Sequence, residues 1–147
     1  MMPLSSKLAP LLRLTLVACS SAAIAGCALA APSAPSPSTP TRTTDTFEGS
    51  FKYQGSAAHP FTVTEAGTVD VRVTTLSPLT TMAIGASVGK WDGTNCTSVN
   101  IRNDNARVGA TALTGTSEPG NYCVSLYDSG NVPSTWTVAY KVDVTHP

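Results

Sequence analysis

The C-terminal part of this 147-residue chain predicts an all-β fold, an antiparallel β-sandwich or barrel. Three observations carry that expectation. Apolar side chains recur at every second position in run after run, which leaves one face buried and one wet. Turn formers separate the runs at short intervals. No stretch repeats its apolar residues at helical spacing.

The runs follow in order. In Phe47-Glu48-Gly49-Ser50-Phe51-Lys52-Tyr53 the aromatics take alternate positions. Phe61 and Val63 alternate with Thr62 and Thr64. Val69, Val71 and Val73 alternate with Asp70, Arg72 and Thr74. Met82, Ile84, Ala86 and Val88 share one face of the next run, and Tyr122, Val124 and Leu126 share one face of another. Trp136, Val138, Tyr140, Val142 and Val144 form the longest stripe, against Thr137, Lys141 and Asp143. A slip of one residue would send every apolar side chain of that stripe into water. It is therefore expected well inside a sheet, with Trp136 buried. Weaker runs at Ser98–Ile101 and Arg107–Leu113 supply the remaining strands, for about seven or eight in all. The abundant Thr and Val suit pleated surfaces.

Turns are expected at Glu65-Ala66-Gly67, Ser77-Pro78, Asp92-Gly93, Asn103-Asp104-Asn105, Glu118-Pro119-Gly120-Asn121 and Asp128-Ser129-Gly130-Asn131. Gly and Asn tolerate positive φ, and Pro presets its own φ.

Ahead of the strands lies a targeting pattern. Residues 1–13 carry Lys7 and Arg13 and no acid, and Leu14 to Ile24 is mostly apolar. That run is too short to span a bilayer and suits the h-region of a secretory signal. It closes on Ile24-Ala25-Gly26-Cys27, which resembles a bacterial lipobox. The resemblance implies cleavage before Cys27 and lipidation of its sulfur, a stable anchor when the cysteine is multiply acylated. Two other cuts compete. Leu16-Val17-Ala18-Cys19 has similar chemistry after a shorter apolar run. Ala28-Leu29-Ala30 is an Ala-x-Ala site for ordinary secretion, with cleavage before Ala31. Ala28 is not the acidic retention residue seen in many inner-membrane lipoproteins, which favours an outer membrane where the cell has one.

Residues 31–44 hold Pro32, Pro35, Pro37 and Pro40 among Ser and Thr, with nothing large or apolar. Such a stretch cannot bury enough surface to offset its ordering entropy. Its prolines keep it extended, as a semi-rigid spacer reaching roughly 40 Å at about 3.1 Å per residue. The expected organisation is a signal peptide at 1–26, a lipidated cysteine and Pro/Ser/Thr-rich linker at 27–44, and a single domain at 45–147. The domain's 103 residues suffice for one core. Six Lys and Arg stand against nine Asp and Glu there, a net −3. No basic cluster appears, so nucleic-acid binding has no electrostatic footprint.

Of four encoded cysteines, Cys96 and Cys123 belong to the domain. In an exported chain two such cysteines pair. The closed loop has 26 intervening residues, worth roughly 3–4 kcal/mol in the chain-entropy account. Cys123 lies on the opposite parity to Tyr122 and Val124. A bridge would then clamp the Trp91–Asn100 segment over the outside of the Cys123 strand. The spacing is not that of a metal site, and no His lies near either cysteine in sequence.

Several segments together resemble a known group: Phe47-Glu48-Gly49, His59-Pro60-Phe61-Thr62-Val63, Ala66-Gly67-Thr68-Val69, Gly120-Asn121-Tyr122-Cys123-Val124, Tyr127-Asp128-Ser129-Gly130-Asn131 and Val144-Thr145-His146-Pro147. They are similar to small bacterial exported proteins related to the pre-peptidase C-terminal (PPC) domain. The resemblance spans most of Phe47–Pro147. It implies export and a jelly-roll or Greek-key sandwich. It implies no activity, because such domains accompany secreted peptidases without being catalytic. Some relatives bind calcium or an extracellular polymer; no calcium motif matches here residue by residue.

Three sharper readings were weighed. For catalysis there is no Gly-x-Ser-x-Gly elbow. His59 and His146 each precede a proline, and the plainer reading is a strand-edge signal. A cleft holding His59 beside a serine and an acid would favour a hydrolase. For calcium, Asp92-Gly93-Thr94-Asn95, Asn103-Asp104-Asn105, and Asp128 with Asn131 offer hard oxygen ligands. None has the spacing of a dedicated loop, and the plainer reading is turn chemistry. For ligand binding, Trp91 and Tyr127 are candidate exposed aromatics that could form a stacking platform, whereas Trp136 belongs to the apolar stripe. The expectation is a non-enzymatic, cofactor-free, lipid-anchored envelope protein with an accessory or interaction sandwich. Its partners would be the membrane through the lipid, and an envelope protein or polysaccharide. The alternative is a secreted polysaccharide- or peptide-binding module, with or without a stabilising calcium ion.

Overall fold

The computed structural model describes residues 39–147. Cys27, the competing cleavage points at Cys19 and Ala31, and the first part of the linker lie outside the described residues. Eight strands follow one another: β1 (Thr43–Lys52), β2 (Ser56–Val63), β3 (Gly67–Ser77), β4 (Ile84–Trp91), β5 (Cys96–Ala106), β6 (Thr111–Ser117), β7 (Gly120–Tyr127) and β8 (Thr137–His146). They form two four-stranded sheets, ordered β1-β8-β3-β6 and β2-β7-β4-β5. Every pairing is antiparallel. Only β4 and β5 succeed each other within one sheet; the other connections carry the chain from one sheet to the other. The domain is an antiparallel sandwich.

The alternation read from the sequence sets the inner faces. Val69, Val71 and Val73 of β3 and Val138, Val142 and Val144 of β8 are buried, facing Ile84 and Val88 of β4 and Val124 and Leu126 of β7. Each such side chain contributes about 1.5–3 kcal/mol on leaving water. The outer face of the first sheet stays polar, with an ion pair between Lys141 and Glu48 at 2.6 Å. β1 begins at Thr43, just ahead of the expected domain start, and Arg42 reaches back to the Asp70 carboxylate at 2.6 Å.

Three expectations change. Asn103-Asp104-Asn105 does not reverse the chain; it lies inside β5. The Asn105 N–H donates to the Asn103 side-chain oxygen at 2.8 Å, and the register shifts there against β4. The Asx bond makes a bulge rather than a turn, because the ladder continues on both sides of it. Arg107–Leu113 is not one strand: the chain turns at Val108-Gly109, where Gly109 has φ +85°, before β6 begins. Trp136 is half-buried rather than buried. Its N–H donates to the Pro133 carbonyl at 2.9 Å, so it closes a turn at the rim of the core, one residue before β8. The buried stripe proper starts at Val138.

Cys96 and Cys123 form a disulfide with Cα atoms 5.6 Å apart, although β4 separates their strands in the sheet. Gly89 makes this possible. It pairs with Cys123 on β7, and the β5 ladder is interrupted opposite it, between the partners of Val88 and Lys90. A Cβ on Gly89 would meet the Thr97 carbonyl oxygen at 2.5 Å. The first residues of β5 therefore ride over Gly89 and reach the outside of β7, as the parity of Cys123 requires.

Candidate ligand-binding cleft

The central strand β4 is buried on both faces from Ile84 to Gly89. Ile84, Ala86 and Val88 point into the core. The opposite parity is Gly85, Ser87 and Gly89, residues too small to cover themselves. Tyr127 covers one end: a Cβ on Gly85 would collide with its ring. The β5 main chain covers the other end, over Gly89. Between the two covers the sheet is open, and a cleft of about 390 Å³ remains. Its floor is a row in register across three strands, with Ser87 opposite Ser125 on one side and Arg102 on the other. Val99, Tyr127, Asp128 and the Gln54–Ser56 turn form its walls.

Ser87 is 4% exposed. Among the described residues its hydroxyl makes no protein hydrogen bond, and no fully enclosed side-chain oxygen or nitrogen lacks a partner. Ser87 lines the cleft. Val99 is 55% exposed, one of the few large apolar side chains on the surface.

The charged groups around the cleft are already engaged. Arg102 donates from Nε to the Asp104 carboxylate at 2.8 Å, and Tyr127 donates its hydroxyl to the same oxygen at 2.6 Å. The Tyr127 pKa is pushed up to about 12, first by burial and then by its hydrogen bond to the Asp104 carboxylate. The Tyr127 and Arg102 hydrogen bonds hold the Asp104 carboxyl below its ordinary range. Asp128 accepts backbone N–H groups from Gln54, Gly130, Asn131 and Val132, at 2.7–3.1 Å. Burial pushes its carboxyl up, but the four donors outweigh that and hold it below the usual value.

Tyr127, a sequence candidate, lines this cleft. Trp91, the other, does not. It ends β4 opposite Cys96, half-buried, about 20 Å along the strand from Gly85. The two aromatics do not form one platform. Ser87, Ser125 and Arg102 were not singled out in the sequence. A signal was present: Gly85, Ser87 and Gly89 alternate with Ile84, Ala86 and Val88, where β3 puts Asp70, Arg72 and Thr74 on the wet parity.

The other candidates find local partners. The Asp92 carboxylate accepts the N–H groups of Thr94 and Asn95 at 2.8 and 2.6 Å, which is turn chemistry. Among the described residues no group of three His, Cys, Asp or Glu is placed to hold a metal ion. His59 points between the sheets, stacked on Phe47 with centroids 5.0 Å apart, and shares a 2.7 Å hydrogen bond with the Tyr140 hydroxyl. Burial lowers the His59 pKa and pushes Tyr140 up to about 12. His146 is buried beside the Asp45 carboxylate at 3.1 Å.

No protein-family model matches the chain, and no curated protein matches it.

Proposed function

We propose that this chain is a lipid-anchored envelope protein whose sandwich is a non-enzymatic interaction domain. The observation that carries the reading is the open cleft over Ser87, a pre-formed recess on a sheet whose surrounding charges are already paired. Its floor carries the hydroxyls of Ser87 and Ser125, and neither histidine lines it. The Cys96–Cys123 bridge supports an oxidising compartment outside the cytoplasm. Ile24-Ala25-Gly26-Cys27 supports the lipid anchor. The sheet orders β1-β8-β3-β6 and β2-β7-β4-β5 support a jelly roll built from two Greek keys, in keeping with the PPC-like segments.

Mass spectrometry of the mature protein tests the anchor. A diacyl or triacyl N-terminus on Cys27 is expected; a soluble product beginning at Ala31 overturns it in favour of the secreted module. Chromogenic esterase, peptidase and glycosidase substrates test the rest. Turnover that disappears in His59→Ala or Ser87→Ala would overturn the non-enzymatic reading.

A further inference from the structure

We infer that the cleft over Ser87 takes a neutral sugar ring, one unit of an envelope or extracellular polysaccharide. The inference rests on the interaction-domain reading and names its ligand. Four features of the cleft point the same way.

The first is the unused hydroxyl of Ser87. A polar side chain this buried ordinarily finds a partner. Among the described residues it has no protein partner, and Ser87 lines the recess, so the recess is where a partner can reach it. The second is the floor. Ser87 and Ser125 sit side by side across the ladder with Arg102 next in the row. Two hydroxyls both donate and accept, and the guanidinium keeps N–H groups beyond those that Asp104 takes. That mixture matches alcohol groups, which also do both.

The third is charge. An anionic ligand would meet the Asp128 carboxylate in the wall of the recess. The one guanidinium there already has its charge balanced by Asp104. A cationic ligand would meet Arg102. A neutral ligand meets neither penalty. The fourth is the walls. Exposed Val99 supplies the apolar wall at one end of a polar floor. Tyr127 at the other end offers its ring edge, since Gly85 lies against the ring and the Arg102 guanidinium sits over it, 5.1 Å from the centroid. A pyranose has apolar C–H faces and hydroxyl edges, so it presents apolar surface where the walls are apolar and hydroxyls where the floor is polar. The cleft's 390 Å³ is at the small end for ligand sites, which run from about 300 Å³ upward. Its open sides let a chain enter and leave.

The site is also held rigid. Tyr127 is pinned by Asp104 and seated on Gly85, and the Asp128 loop is tied to the Gln54 turn. A preorganised recess loses little freedom on binding.

The test is an NMR titration of the isotopically labelled full chain in detergent micelles. The probes are cellotriose, chitotriose and mannotriose, with trigalacturonate and trialanine as the charged and peptide alternatives. At least one neutral trisaccharide is expected to shift the amide signals of Ser87, Arg102, Ser125 and Tyr127. Ser87→Ala is expected to weaken that binding about tenfold, the loss of one buried hydrogen bond. Ser125→Ala should act in the same direction, and serves if Ser87→Ala fails to fold. Lys141→Ala, on the other sheet, should leave binding unchanged. Binding of trigalacturonate or trialanine alone at these residues overturns the sugar inference and leaves the interaction domain standing. Sugar shifts confined to Trp91, or to the β5–β6 edge, overturn the site. No response to any probe overturns the inference, while the anchor and non-enzymatic readings remain decided by their own measurements.

Discussion

The ring of Tyr127 occupies the space that a side chain on Gly85 would need. The two residues face each other across the β4–β7 ladder, and the Tyr127 hydroxyl continues to the Asp104 carboxylate at 2.6 Å. Glycine is required here for close approach, not for an unusual φ. Gly85→Ala should force the ring off the sheet and cost about 1–3 kcal/mol, as overpacking does. Adding Tyr127→Ala should relieve part of that cost, so the double variant should lose less than the two singles together. Urea denaturation of the three variants checks this. Additive losses would mean that the ring is not seated on Gly85.

Replacing both Cys96 and Cys123 by Ser should cost about 2–5 kcal/mol, since the bridge closes a long loop in the unfolded chain. Thiol labelling of the oxidised, denatured protein should find no free thiol at either position. Complete labelling without reductant would contradict the bridge.

His59 makes the sandwich sensitive to mild acid. Burial lowers its pKa in the folded protein, so near and below about pH 6.5 the unfolded chain binds its proton first. The stability associated with neutral His59 is then present above that pH and lost as the pH falls through the folded value. Chemical denaturation at pH 7.5 and pH 5 should show a loss for the wild type that is smaller in His59→Gln. An identical loss in both proteins would assign the sensitivity to other groups.

The half-buried Trp136 and the buried Leu126 should separate by mutation. Leu126 is 0% exposed, and Leu126→Ala should cost about 2–5 kcal/mol through the cavity it leaves. Trp136→Ala should cost about 1–3 kcal/mol, because part of its ring is already in water. Lys141→Ala removes an exposed ion pair with Glu48 and should leave the unfolding midpoint unchanged. Equal losses at Trp136 and Leu126 would restore Trp136 to the core.

Much of the fold was legible locally. Strands with strict alternation, such as Val69-Val71-Val73 and Val138-Tyr140-Val142-Val144, were recognisable because one-sided burial writes a period of two into the sequence. The Asn103-Asp104-Asn105 segment was misread because the same Asx hydrogen bond serves a turn and a bulge. Only the partner strand determines which one forms. Trp136 differs for a related reason: parity continues through a turn on paper, whereas Trp136 closes a turn on the Pro133 carbonyl ahead of β8.

The sequence by itself determined an all-β domain, a cysteine pair suited to an oxidising compartment, and Tyr127 as a candidate contact. These are properties of composition, alternation and spacing, which survive without knowledge of neighbours. Tertiary structure alone decided the sheet orders, the passage of β5 over Gly89 to bring Cys96 onto Cys123, and the recess over Ser87. Ser87, Ser125 and Arg102 lie on three strands far apart in the chain, and ordinary serines and an arginine carry no local mark. They become a row only when β7, β4 and β5 pair in register. The recess exists because Tyr127 and the β5 backbone cover the glycines on either side, while the short side chain of Ser87 between them leaves a hollow.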